Sequence, residues 1–235
     1  MAGALRLLIG IALLPACWGV TEAFMDSVVL AAGVDDWLGA ETLSLLFGMA
    51  AFVLAWLALP HPVRTYVFGH ELTHALWGLL FGAVPSDVRV DASGGSVRLS
   101  KSNFIITLAP YFFPFYTFVV IVAALVTYAF VRPLPALPLW MALIGFTWAF
   151  HVLFTLETLT QRQPDVRLYG RIFSWAFIYL ANVALVLLWL VATTRLTFPQ
   201  LGDCLAGRLG TVYVTVVSAL WGAGRWCLSQ VRDWR

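Results

Sequence analysis

Long apolar runs separated by short polar segments dominate the chain. They cover residues 5–24, 43–59, 63–81, 103–131, 136–158, 172–193 and, more weakly, 210–228. Most of these runs approach the ~20 residues that a helix needs to cross the hydrocarbon core of a bilayer. The pattern therefore predicts an all-α integral membrane protein with six or seven transmembrane helices.

The runs at the two ends of the chain allow two interpretations each. The run 5–24 resembles a signal peptide, but no clear small-x-small cleavage site follows it, so we favour a retained span. The run 210–228 is interrupted by Arg225 and lies among tryptophans, which suits an interfacial helix within 205–235 as well as a seventh span. No repeat or long linker divides the chain, so we expect one membrane-embedded domain, 1–235.

Three polar segments between the runs carry further signals. Residues 25–42 collect acidic side chains without a Lys or Arg, and we expect an acidic loop there. In the segment 85–102, apolar and polar residues alternate on both sides of Asp91-Ala-Ser-Gly-Gly95, which predicts a small β-hairpin between the third and fourth spans. The connector 159–170 contains Pro164 and Asp165, and we expect it to be non-helical at that point.

Composition narrows the class of protein further. Hydrophobic residues make up 61% of the chain and charged residues 11%, which excludes an ordinary soluble domain and a disordered chain. The formal net charge of +2 comes without a basic block, so nothing indicates nucleic-acid binding. Cys17, Cys204 and Cys227 are too dispersed to indicate a disulfide framework or a thiolate zinc site. We expect a multi-pass protein of the bacterial inner (cytoplasmic) membrane, in contact with the lipid bilayer.

The strongest chemical signal is His70-Glu71-Leu72-Thr73-His74 within the third run. Residues i and i+4 lie on one face of a helix, so the two imidazoles can bind one Zn²⁺. The intervening Glu71 is then placed to activate a bound water. Ionisable side chains inside an apolar span are costly and are functional by default. The motif therefore predicts a zinc site, in preference to a cluster of hydrogen bonds between helices.

A catalytic zinc usually has a third protein ligand beside a water position. The available side chains are Asp165 in the polar connector, His151 and Glu157 in the fifth run, and His61 in a Pro-flanked loop. From the residues alone, Asp165 is as much a ligand candidate as a helix cap or a solvated charge. His151 is more typical of a hydrogen bond between helices than of a ligand.

A polar stripe follows one face of the fifth run. Thr147, His151, Thr155 and Thr158 recur at helical spacing, so we expect them to face the interior of the bundle. The apolar helices would keep bulk water out, and a zinc site among them needs a polar path. The stripe is a candidate for that path, and it is also what would direct His151 towards the metal.

The chain resembles the site-2 protease family of intramembrane zinc metalloproteases, as a divergent member. The resemblance covers 63–191 and consists of the His-Glu-x-x-His motif, the Gly-Gly hairpin, the Leu108-Ala-Pro-Tyr111 opening of the next span and a late Asp. It implies that Asp165 is the third zinc ligand. Thr73 stands where the family commonly has Gly, Val166 follows the Asp in place of Gly, and the run 136–158 is an additional span.

The function that follows is that of a zinc metalloendopeptidase cleaving a membrane-anchored protein inside the membrane, with its catalytic core in 63–194. Glu71 would be the general base for the attacking water and would then deliver the proton to the leaving amine. Asn103 and Gln163 are proposed as supports of the transition state, and Val97 as part of a strand edge that holds the substrate extended. The alternative for the hairpin is that it only caps the site.

Two other functions compete with this one. The first is a non-catalytic pseudoprotease, or a metal-stabilised membrane scaffold, that binds a partner's transmembrane helix. The second, weaker one is a small transporter or metal-handling protein, although the chain lacks the internal repeat typical of many transporters.

Overall fold

The computed structural model describes residues 2–33, 39–91 and 94–233. Over these residues the chain is mostly helical. The helices and strands are α1 (Ala2–Ala32), α2 (Ala40–Ala58), α3 (Val63–Leu80), β1 (Pro85–Asp91), β2 (Gly94–Leu99), α4 (Phe104–Leu108), α5 (Phe115–Phe130), α6 (Leu137–Thr160), α7 (Pro164–Tyr169), α8 (Arg171–Thr193) and α9 (Phe198–Asp233). A 3₁₀ turn, Ala109–Tyr111, joins α4 to α5.

Five of the described helices are long and apolar enough to cross a membrane, namely α1, α2, α6, α8 and α9. A sixth span is counted if α4 with its 3₁₀ turn is joined to α5, although the two parts meet at a bend of 82°. Pro110 and Pro114 lie at this break, where they interrupt the helical hydrogen-bond ladder. The third apolar run forms α3 but does not belong to this set, because the polar residues of its His-Glu-x-x-His motif lower its hydropathy.

Packing divides the chain into two compact units. One consists of α1, α8 and α9, and the other contains the elements from α2 to α7. The expected metal-binding residues all belong to the second unit. The interpretation of 1–235 as one membrane domain stays a prediction.

In the second unit, the backbones of α2 and α6 come close together at two glycines. A Cβ on Gly48 would overlap the carbonyl oxygen of Ala142, and one on Gly145 would overlap that of Leu45. The crossing lies beside an aromatic core in which Phe52, Phe150 and Phe154 are buried. Small residues at the crossing let the two backbones touch, as is common where helices pack in a membrane.

We expect Gly145→Ala to destabilise the second unit by about 1–3 kcal/mol, because the added methyl group meets backbone that cannot move aside easily. The matched control is Gly210→Ala in α9, where nothing lies within 4 Å of the added Cβ. That change should stabilise its helix by about 0.5–1 kcal/mol. The free energies of unfolding can be compared by denaturant titration in detergent. Equal stability of Gly145→Ala and wild type would contradict the close crossing.

In the first unit, a paired carboxylate and guanidinium join α1 to α9. Arg208 donates from Nε to Asp26 Oδ2 at 2.6 Å and from a terminal nitrogen to Oδ1 at 2.9 Å. The expected acidic loop over 25–42 is therefore wrong for most of its length, since Asp26 lies inside α1 and Glu41 inside α2. Arg208 supplies the missing positive charge from the far end of the chain. Residues 34–38, with the remaining two aspartates of that segment, lie outside the described residues.

We expect Asp26→Ala to lower the melting temperature of the protein, because Arg208 then keeps its charge without its bidentate partner. The double variant Asp26→Arg with Arg208→Asp should recover part of the loss. Arg225→Ala, at an exposed position of the same helix α9, serves as the control and should leave the melting temperature unchanged. A double variant as unstable as the sum of its single changes would show that the pair does not hold the helices together.

The predicted hairpin is confirmed. β1 and β2 pair antiparallel, with Pro85 opposite Leu99 and Asp91 opposite Gly94, and with an irregularity between Ser86 and Arg89. The hairpin packs on α3. A Cβ on Gly78 would come within 2.9 Å of Leu99 Cδ2, so this glycine lets β2 lie close to the helix. The strand is thereby brought to the helix that carries the His-Glu-x-x-His motif.

Candidate metal centre

The two histidines of the motif lie side by side on α3. Their ring centroids are 4.9 Å apart, as expected for positions i and i+4 of one helix face. Gly69, directly before the motif, lets α5 approach, since a Cβ there would lie 2.7 Å from the ring of Tyr116. That ring is held by a hydrogen bond from Tyr116 Oη to the carbonyl oxygen of Thr65, at 2.6 Å. The helix that carries the motif is therefore closely packed where the motif begins.

Asp165 meets both histidines. Its Oδ2 atom lies 3.6 Å from His70 Nε2 and 3.5 Å from His74 Nε2. The expectation of non-helical chain at Asp165 is wrong, because Pro164–Tyr169 form the short helix α7. Proline suits the first position of a helix, where its missing N–H would have no intrahelical partner. Asp165 thus projects from a first helical turn and not from a loosely held loop.

These three side chains fit a zinc ion. Zinc binds imidazole nitrogen at about 2.0–2.1 Å and carboxylate oxygen at about 2.0–2.2 Å, so tetrahedral ligand atoms lie about 3.3–3.5 Å apart. The two measured separations are close to this value, and the three ligand atoms all lie within 4.8 Å of one another. Two histidines and one carboxylate leave the fourth position for water, as in catalytic zinc sites. Among the described residues, His70, His74 and Asp165 form the one group with metal-binding geometry.

The charge state of Asp165 agrees with the role of a ligand. Burial opposes ionisation of the carboxyl group, but the neighbouring imidazoles of His70 and His74 favour it more strongly. The pKa of Asp165 therefore lies well below its usual range. Asp165 would be a carboxylate at any physiological pH, which is the form that binds a metal ion.

The orientation of His74 is fixed by a backbone contact. Its Nδ1 lies 2.9 Å from the carbonyl oxygen of Ile106, which accepts the ring proton. When the ring is neutral, its lone pair then lies on Nε2, which faces Asp165 and can bind a metal. Ile106 belongs to α4, whose start is capped by Asn103 Oδ1 accepting from the Ile106 N–H at 2.9 Å. Asn103, expected to support a transition state, therefore serves as the cap of the helix that orients His74.

Tyr111 is a site residue that the sequence reasoning missed. It is fully buried, and its hydroxyl group donates to Asp165 Oδ2 at 3.2 Å. Its ring also stands edge-on to that of His70, with centroids 5.4 Å apart. In the sequence, Tyr111 belongs to the Leu108-Ala-Pro-Tyr111 stretch of the fourth apolar run. A polar aromatic residue directly after a proline within an apolar run was the signal that could have found it.

Glu71 lies beneath the hairpin. The side chain is 8% exposed, and the space above it is taken by Gly95 of β2, where a Cβ would come within 2.6 Å of Glu71 Cγ. The backbone N–H of Val97 hydrogen-bonds to its carboxylate, which also interacts electrostatically with both histidines and Asp165. Val97, expected to contact a substrate, thus holds the expected general base through its backbone.

The other expected residues lie outside the metal cluster. His151 is buried on α6 and lines a small cavity with His70, and Thr155 of the same polar stripe is buried as well. His61 stacks on Trp56 with ring centroids 3.6 Å apart, and its Nδ1 lies 3.7 Å from Glu157 Oε2. His61 and Glu157 therefore contact each other. The carbonyl oxygen of Gln163 accepts from the N–H of Arg167 in α7 at 3.3 Å.

Comparison with known proteins adds no relative. No protein-family model, curated protein or solved structure matches the chain. What the site can do is therefore inferred from its own residues and distances.

Proposed function

We propose that the protein is a zinc-dependent intramembrane endopeptidase related to the site-2 protease family, acting on a membrane-anchored protein. The observation that carries this proposal is the convergence of His70, His74 and Asp165 beside a buried Glu71. Two imidazoles, a carboxylate and an adjacent general base are the parts needed for metal-assisted hydrolysis. The five apolar helices support a site within a multi-pass membrane protein.

His70, His74 and Asp165 would hold the metal. A bound zinc ion would supply Lewis acidity, polarising the scissile carbonyl and making its water more acidic. Tyr111 would keep Asp165 oriented, and the Ile106 carbonyl would do the same for His74. Such outer partners fix the direction of the lone pairs that bind the metal.

Glu71 would carry the proton in the reaction. Its carboxylate takes a proton from the attacking water, whose oxygen forms the new bond to the peptide carbon. The same proton is then delivered to the leaving amine as the carbon–nitrogen bond breaks, so one peptide bond and one water give a carboxylic acid and an amine. The Val97 N–H and the packing of Gly95 would hold Glu71 in one orientation for both transfers.

The hairpin would present the substrate. Within the described residues β2 pairs only with β1, so its second edge has no strand partner there, and an extended peptide would add to it as a third strand. Strand addition satisfies the backbone of an unwound segment and places its peptide bonds in a regular row. Because β2 lies against Glu71, such a segment would pass beside the general base.

Metal removal tests this function. Purified protein in liposomes should cleave a single-span transmembrane peptide, and treatment with a zinc chelator should reduce cleavage to background. One equivalent of Zn²⁺ should restore it, because the three ligands form a single site. Products are identified by mass spectrometry. His61→Ala is the matched control, since this histidine contacts Glu157 outside the cluster and should keep both zinc and activity.

Two outcomes would contradict the proposal. Cleavage that persists in metal-free protein would exclude zinc as the catalyst. Protein that binds zinc and captures the peptide without releasing a fragment would favour the non-catalytic scaffold instead.

A further inference from the structure

His70 and His74 differ in the hydrogen bonding of their Nδ1 atoms. His74 Nδ1 contacts the carbonyl oxygen of Ile106, whereas the buried His70 Nδ1 has no hydrogen-bond partner among the described residues. A histidine that binds a metal through Nε2 carries its proton on Nδ1, and that N–H normally donates to an acceptor. A buried donor without an acceptor is costly, so an acceptor is expected close by.

A small cavity adjoins His70. Its volume is about 20 Å³, and its polar lining comes from α3 and α6, in particular from His70, Thr73, Thr147 and His151. A cavity needs roughly 10–15 Å³ of this kind of volume to hold one water, together with two to four polar partners. The cavity behind His70 therefore has the size and the chemistry for a single water molecule.

The hydroxyl groups of two threonines at the cavity can each accept a hydrogen bond. Thr73 Oγ1 donates to the Gly69 carbonyl at 2.7 Å, and Thr147 Oγ1 donates to the Leu143 carbonyl at 2.8 Å. Each hydroxyl has then used its proton within its own helix and keeps lone pairs for another donor. His151 is 6% exposed and adds a ring that lines the same cavity.

We propose that this cavity binds one structural water that accepts from His70 Nδ1 and donates to Thr147 and His151. The inference rests on the proposed zinc site, and it makes His151 a positioning residue that acts through the water and through His70. It also assigns a purpose to the polar stripe of α6, the helix that is additional to the family pattern. α6 would then orient one metal ligand, as α4 orients the other.

The test measures metal binding and not cleavage. We expect His151→Leu to weaken zinc binding about 10- to 100-fold, the usual cost of losing an outer partner of a metal ligand. Thr147→Val should weaken it less, and His151→Gln should restore most of the affinity by offering an amide to the water. Thr155→Val is the matched control, because Thr155 is buried on the same stripe but does not line the cavity. Its affinity should equal that of wild type.

Cobalt substitution adds a spectroscopic readout. The visible absorption of the Co²⁺ protein should shift in His151→Leu and Thr147→Val, and not in Thr155→Val. Melting curves of the metal-free variants show which of them are folded. If His151→Leu does not fold, the zinc affinity and cobalt spectrum of Thr147→Val are compared with those of Thr155→Val.

Three results would overturn the inference. The water-mediated role would be excluded if folded His151→Leu had wild-type zinc affinity and an unchanged cobalt spectrum. If His151→Leu does not fold, the same result for folded Thr147→Val would exclude it. A loss in His151→Leu as large as that in Asp165→Ala would make His151 a direct ligand. Wild-type protein that binds no zinc would overturn both this inference and the proposed function, whereas the first two results leave the protease proposal intact.

Discussion

Replacing Glu71 by glutamine is expected to lower the rate of peptide cleavage by about 10²- to 10⁴-fold, the usual contribution of a general acid–base group. Glutamine has the size of glutamate, so it should keep the packing beneath Gly95. It cannot take a proton from water at neutral pH. Because Glu71 is not among the three metal-binding side chains, the zinc content should stay at the wild-type value. The measurement pairs the cleavage rate of a transmembrane peptide with elemental analysis of the same preparation.

Glu157→Gln is the matched control for this variant. Glu157 belongs to the same compact unit but contacts His61, outside the metal cluster, and its replacement should leave cleavage unchanged. If Glu71→Gln were as active as wild type, Glu71 would not be the general base. If it lost zinc together with activity, Glu71 would contribute to metal binding.

Replacing Asp165 by alanine is expected to weaken zinc binding by more than about 100-fold, beyond the cost of losing an outer partner. The reason is that the carboxylate lies 3.6 and 3.5 Å from the two imidazole nitrogens, close to the separation of two ligand atoms on one tetrahedral zinc ion. Zinc affinity is measured by competition with a chelator of known strength.

Tyr111→Phe provides a graded comparison. It removes only the hydroxyl group that donates to Asp165 and keeps the ring beside His70, so it should weaken zinc binding by about 10- to 100-fold. Asp165→Ala with wild-type zinc affinity would remove Asp165 from the ligand set.

Features that depend on residues close together in the sequence could be predicted, whereas features that depend on contacts between distant residues could not. The pairing of His70 with His74 depends on helical periodicity alone, and the hairpin depends on the alternation of apolar and polar residues on both sides of Asp91-Ala-Ser-Gly-Gly95. Both are local, and the structure contains both. The acidic loop was wrong because Asp26 lies in a helix and has Arg208 as its partner, 182 residues further along the chain. No sequence pattern around Asp26 indicates that Arg208 is its partner.

The metal site shows the same division within one cluster. The sequence by itself determined the motif, the membrane-like composition and the hairpin, because each follows from neighbouring residues and backbone geometry. Only the tertiary structure decided that Asp165, and not His151, joins His70 and His74, and that Ile106 contacts His74 while Tyr111 contacts Asp165. Those contacts join α3 to α4, the 3₁₀ turn and α7, segments tens of residues apart. Their geometry is set by how the helices pack, which involves the whole unit at once and leaves no periodic trace in the chain.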